Sequence, residues 1–204
     1  MVLAEVDTAL IVGGLLLATG WIHPAILGYH ASCFMMIYRN RQRVRSLLRW
    51  DRAIGRWTLG TTLLIAAFLA LGPLVVDPTP YRDLFLRSLF PGGRSPLLFT
   101  GFAVYTVLVH APLEEIFWRG AVTDPGAAQA SVLAGNALFF GLLHAVPLGL
   151  LLGPKGLLFA LPTAAAGAAW AFVTIRTRSL WPALVSHWAA DALILAGMWF
   201  FFVR

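Results

Sequence analysis

Apolar runs of about twenty residues recur along this chain, and a helix of that length crosses the hydrocarbon core of a bilayer. The runs fall roughly at 8–38, 57–76, 95–119, 130–152, 157–175 and 180–203. Of the 204 residues 59% are hydrophobic and 12% charged, where a soluble domain carries about 25% charged residues. The expected fold class is therefore all-α, a polytopic transmembrane helical bundle of about six spans. No hydrophilic stretch is long enough for a second unit, so residues 1–204 read as a single membrane domain.

The first run is long, and Trp21-Ile22-His23-Pro24 interrupts it. A tilted helix, or one bent near Pro24, would accommodate that. The acidic start, with Glu5 and Asp7, lacks the basic opening of a secretory signal, so the run reads as a retained first span. A short interfacial helix is expected over 81–90, a break at Asp124-Pro125-Gly126 and a turn at Gly153-Pro154. The stretch Ala164-Ala165-Ala166-Gly167-Ala168-Ala169 reads as a close helix contact.

The net charge is +6. Its carriers cluster at the ends of the apolar runs, which fits membrane topology rather than nucleic acid, and no nucleic-acid partner is expected. Arg39, Arg41, Arg43, Arg45, Arg49, Arg52 and Arg56 crowd the first connection; Arg119, Arg176 and Arg178 fall on the same side. Arg82, Arg87, Arg94, Lys155 and Arg204 fall on the other. The positive-inside rule makes the first side cytoplasmic and both termini external. Lys155 is the single lysine, an arginine skew that suggests a GC-rich bacterial genome and hence a multi-pass protein of the bacterial inner membrane. Cys33 is the lone cysteine, which excludes an intrachain disulfide and a multi-cysteine metal site.

Three polar groups interrupt the later runs. Glu114-Glu115-Ile116-Phe117-Trp118-Arg119 closes the third, Phe140 and His144 lie in the fourth, and His187 and Asp191 in the sixth. Ionisable residues at membrane depth cost about 2.5–3.5 kcal/mol each at a helix centre and usually line a cavity or pair internally. Glu115 and Arg119, four apart, share a helix face and pair. Glu114 is rotated by about 100° and can face a cavity instead. His144 and His187 approach the same half of the bilayer, so three helices converge on one site. His110, one turn before Glu114, is within reach of it; His23 and His30 read as packing residues.

EExxxR, FxxxH and Hxxx(N/D) on successive membrane helices resemble the CPBP or ABI family, which includes the type II CAAX prenyl endopeptidases. The likeness covers about residues 95–200, including the approach Thr177-Arg-Ser-Leu-Trp-Pro-Ala-Leu-Val-Ser-His187. It implies an intramembrane endopeptidase in which Glu114 and His144 activate water, while His187 and Asp191 polarise the scissile carbonyl. It also implies that Glu115, Arg119 and Phe140 support the site. The prenyl endopeptidases usually carry asparagine at the Asp191 position, and an ionised aspartate cannot donate to an oxyanion. Asp191 must then be protonated or act by orienting His187. HExxH and GxSxG motifs are absent from the sequence.

The expected reaction is hydrolysis of a peptide bond near the cytoplasmic face, in a protein or peptide with a membrane-associated segment. No cofactor is expected; the alternative is Zn²⁺ on Glu114, His144 and His187. A rival reading is a non-catalytic membrane scaffold or bacteriocin-immunity-type binding protein of the same family.

Overall fold

In the computed structural model, which describes residues 11–12, 14–15, 18–19, 22–75, 95–123, 129–152, 154, 157 and 160–203, the apolar runs are helices and no strand occurs among the described residues. They are α1 (Ile22–Arg39), α2 (Arg41–Ser46), α3 (Arg52–Val75), α4 (Pro96–Val122), α5 (Gln129–Leu152), α6 (Ala160–Thr177) and α7 (Trp181–Val203). The expected interfacial helix at 81–90, the break at 124–126, Gly153 and the cations Arg82, Arg87, Arg94, Lys155 and Arg204 lie outside the described residues.

Local chemistry sets the helix starts. The Asp51 carboxylate accepts from the Ile54 N–H at 2.8 Å, opening α3. Ser95 caps α4 and Pro96 follows at its first position, where a missing N–H costs nothing. Within α4 the chain widens twice into π-helix, at Thr106–His110 and Ile116–Val122, around the α-helical turn Ala111–Glu115. The first widening directly precedes Pro112, which has no N–H to give and whose ring crowds the carbonyl four residues back. A π turn relieves that crowding, and such turns gather at functional sites.

The first apolar run departs from expectation. It is not one tilted or bent helix, because Ile11 and Leu15 pack directly onto α1 at Gly28. Residues thirteen and seventeen positions apart in a straight helix would sit about 20 Å or more apart. Ile11 and Leu15 therefore lie alongside α1, and Val12 joins Ala25, Tyr29 and Cys33 in the core. Pro24 stands in the first turn of α1 rather than at a mid-helix bend.

Helix α4 is central. Leu113, Phe117, Trp118 and Val122 pack with residues from α1, α5, α6 and α7 in one apolar cluster. The expected close contact of α6 is present: a Cβ added at Gly141 would meet Ala164 at 2.8 Å, and one at Gly167 would meet the Asn136 carbonyl at 3.0 Å. The outer surface is apolar instead of polar, with Leu27, Leu64, Leu97, Leu108, Leu138 and Leu161 all exposed. Among the described residues, Arg52–Ala70, Pro96–Val122 and Gln129–Val146 are each long and apolar enough to cross a membrane.

Candidate active site

The site grows from α4. Glu114 and Glu115 close its α-helical turn, and both are buried. Glu115 Oε1 accepts from Arg119 Nη1 at 2.9 Å, the pairing expected from their spacing. The same oxygen accepts from His187 Nδ1 on α7 at 2.8 Å. Arg119, fully buried, also donates to the Gly167 carbonyl of α6 at 3.2 Å. Its guanidinium lies 4.6 Å above the Phe140 ring and 5.3 Å above that of Trp170. Glycine at 167 matters here, since a side chain would collide with Phe140. Removing one partner of such a buried charge pair costs about 3–5 kcal/mol, because the other is left uncompensated.

Glu114 faces differently. Neither of its oxygens meets a fixed cation among the described residues. Oε1 lies 3.6 Å from His110 Nε2, and Oε2 lies 3.8 Å from His187 Nε2. Tyr29 of α1 is a further hydrogen-bond partner, and its hydroxyl accepts from Trp118 Nε1 at 2.9 Å. The 100° rotation between adjacent helix residues thus separates Glu115, paired with a fixed cation, from Glu114, which faces a tyrosine and two histidines.

His187 stacks flat on Trp170, with centroids 4.2 Å apart and planes at 17°. Trp170 is itself fixed by donating to Ser186 Oγ at 2.8 Å. With Nδ1 committed to Glu115, the opposite nitrogen faces Glu114 and Asp191. Asp191 Oδ1 is 3.7 Å from Nε2, beyond a hydrogen bond. Glu115, on another helix, holds the ring at Nδ1.

His144 comes from α5 and is half-buried. Its Nδ1 lies 2.8 Å from the Phe140 carbonyl. A carbonyl only accepts, so Nδ1 carries the proton and Nε2 is left bare. The Phe140 ring sits 4.5 Å from that of His144 and 6.2 Å from that of His187, so it spaces the two imidazoles.

All the residues singled out from the sequence meet in this region, but not equally. Glu114, Glu115, Arg119, Phe140 and His187 form its buried floor, while His144 and Asp191 stand at a more open rim. Sequence reasoning missed Tyr29, Trp170 and Ser186, whose spacing to the motifs carries no periodic signal. It read His30 as packing, yet His30 Nε2 lies 2.9 Å from His110 Nδ1.

The donor chemistry of Glu114, His144 and His187 suits Zn²⁺, and each imidazole gives its other nitrogen to an acceptor, as metal-bound histidines do. Their placement does not fit: no three His, Cys, Asp or Glu side chains converge to hold a metal ion among the described residues. No catalytic step is derived through a metal.

Residues 96–193 match the family described as Rce1-like, Type II CAAX prenyl endopeptidase Rce1-like. No curated protein and no solved structure matches the chain.

Proposed function

From the match of residues 96–193 to the Rce1-like family, we propose that the chain is an intramembrane endopeptidase of the CPBP, or CAAX protease-like, family in which Glu114 is the general base. The observation that carries this reading is the split between the two neighbouring glutamates. Glu115 is held by Arg119 and His187, whereas Glu114 is buried with no fixed cation on either oxygen among the described residues.

In this mechanism a water sits between Glu114 and the bare Nε2 of His144. Glu114 takes one of its protons as the oxygen attacks the scissile carbonyl carbon. The carbonyl oxygen becomes an oxyanion beside His187 and Asp191. Since Nδ1 of His187 already donates to Glu115, Nε2 donates to the oxyanion only from the imidazolium form. Glu114 then passes its proton to the amide nitrogen as the C–N bond breaks, which leaves a free acid and a free amine. General-base help is worth about 10²- to 10⁴-fold in rate. One oxyanion donor is worth about 10²- to 10³-fold.

The substrate proposed is a protein or peptide with a membrane-associated segment, cut near the cytoplasmic face of the bacterial inner membrane. The whole chain acts as one membrane domain of about six spans, with its apolar exterior against lipid. Bacteria normally lack the prenylation that a CAAX box requires, so apolar C-terminal anchors or leader peptides are the substrates proposed.

The test compares the membrane proteome of a deletion strain complemented with wild type, Glu114→Gln, His144→Ala or His187→Ala. Each variant should accumulate normally and leave the same precursors uncut. Wild-type processing by Glu114→Gln would remove the general-base role. Purified wild-type enzyme should keep its activity after strong chelation. Loss on chelation with recovery on adding Zn²⁺ would instead reassign Glu114, His144 and His187 as ligands.

A further inference from the structure

Outside the family motifs, three ring side chains lie in line with the proposed base. Tyr105 Oη is 2.9 Å from His30 Nδ1 and 3.4 Å from its Nε2, so Nδ1 is its nearer partner. His30 Nε2 is 2.9 Å from His110 Nδ1. His110 Nε2 is 3.6 Å from Glu114 Oε1. Tyr105 and His110 are on α4 and His30 is on α1, so the line bridges two helices. His30 is buried, and ionisable groups at membrane depth are rare unless they act.

The proton positions follow from one end. A carboxylate only accepts, so the His110 nitrogen facing Glu114 carries a proton. A neutral His110 then has a bare Nδ1, which accepts from His30 Nε2–H. A neutral His30 in turn has a bare Nδ1, which accepts from the Tyr105 hydroxyl. Every donor meets an acceptor in this one arrangement, and reversing any ring sets two lone pairs against each other. The last gap, 3.6 Å, exceeds a hydrogen bond, so the carboxylate alone does not hold this tautomer and the 2.9 Å contact with His30 does. Catalytic contacts are often long before substrate binds and tighten afterwards.

We propose that Tyr105, His30 and His110 form a directional hydrogen-bonded chain that keeps a proton on His110 Nε2 and so positions the carboxylate of Glu114. His110 is a positioning residue, and its role in catalysis rests on the reading of Glu114 as the base. Its Nε2–H fixes Oε1, which leaves Oε2 turned toward His187 and the water. The π turn at Thr106–His110 is what brings His110 to this place. Helix α1, which precedes the matched residues 96–193, thereby contributes to the working of the site.

The test uses full-length protein with ¹⁵N-labelled histidine in nanodiscs. The chain has five histidines, so each ring is assigned by single substitution. Wild type should show His110 protonated at Nε2 alone. Tyr105→Phe and His30→Phe should each turn His110 into a mixture of tautomers, with the protein still monodisperse. A mixture already present in wild type, or a His110 indifferent to both substitutions, overturns the proposal.

Turnover is read in parallel on a quenched fluorescent peptide carrying an apolar C-terminal anchor. His110→Phe should lower kcat about ten- to a hundredfold, the worth of one hydrogen bond to a charged group, with KM within about twofold. His110→Gln, whose amide N–H reaches the same point, should recover most of the loss. Equal loss in both variants overturns the positioning role. If wild type leaves this peptide intact, the tautomer populations alone decide. Glu114→Gln that keeps full turnover defeats the base assignment and leaves the tautomer result standing, so the two failures are distinct.

Discussion

A single carboxylate oxygen, Glu115 Oε1, serves two donors from two helices, Arg119 Nη1 and His187 Nδ1. That sharing decides what Asp191 is free to do. Asp191 is not needed to aim the imidazole, because Glu115 already does so at 2.8 Å. It remains a rim carboxyl 3.7 Å from the working nitrogen of His187. If its task is to donate to the oxyanion, an amide performs it without needing a proton first. Asp191→Asn should therefore keep kcat within about threefold of wild type or exceed it, whereas Asp191→Ala should lose about 10²- to 10³-fold. Steady-state turnover of the two variants at one pH checks this. Equal damage in both would mean that the charge itself is required.

At the scale of the element, what was legible followed from spacing within one helix. The Glu115–Arg119 pair and the His144 position above Phe140 are four-residue relations, and both appear as expected. The close approach of α6 followed from its small residues and is also found. Relations between helices left no such mark. Nothing in the periodicity announces that Glu115 reaches across to His187, or that Trp170 stacks on that ring. The packing of Ile11 and Leu15 onto α1 was hidden for a related reason. Apolar residues satisfy a bilayer and a helix partner equally well, so one long run does not reveal which of its residues pack on one another.

The turn between α6 and α7 carries its own prediction. Arg178 holds a left-handed φ of 50°, the one such non-glycine among the described residues. It follows the end of α6 at Thr177, where glycine is the usual occupant. Its backbone carbonyl, not its side chain, takes the contact from Arg49. Arg178→Gly should then stabilise the protein by about 0.5–1 kcal/mol through relief of that strain. A thermal unfolding midpoint about 2–4 °C higher in detergent would report it. An unchanged or lower midpoint would show that the side chain holds the turn.

For the molecule as a whole, the arginine-rich connection is more than a topological label. Arg43 Nε donates to the Gly120 carbonyl at 2.8 Å, and Arg49 Nη2 to the Thr177 carbonyl at 2.7 Å. Ser179 Oγ returns a bond to the Arg49 carbonyl. Three chain connections are thereby tied together on one face, the face that the positive-inside rule assigns to the cytoplasm. Reporter fusions at Arg49 and after Arg204 should report opposite sides of the membrane. The same side for both would change the parity of the span count.

Helix α1 lies ahead of the matched segment, yet it provides one half of two contacts at its centre. Tyr29 receives the Trp118 indole N–H, and His30 meets His110. These pairs link distant parts of one gene, so neither half can drift alone. A recombination junction anywhere between residues 39 and 95 would separate Tyr29 from Trp118 and His30 from His110. Chimaeras of this lineage should survive such a crossover only when both parents carry matching residues at all four positions.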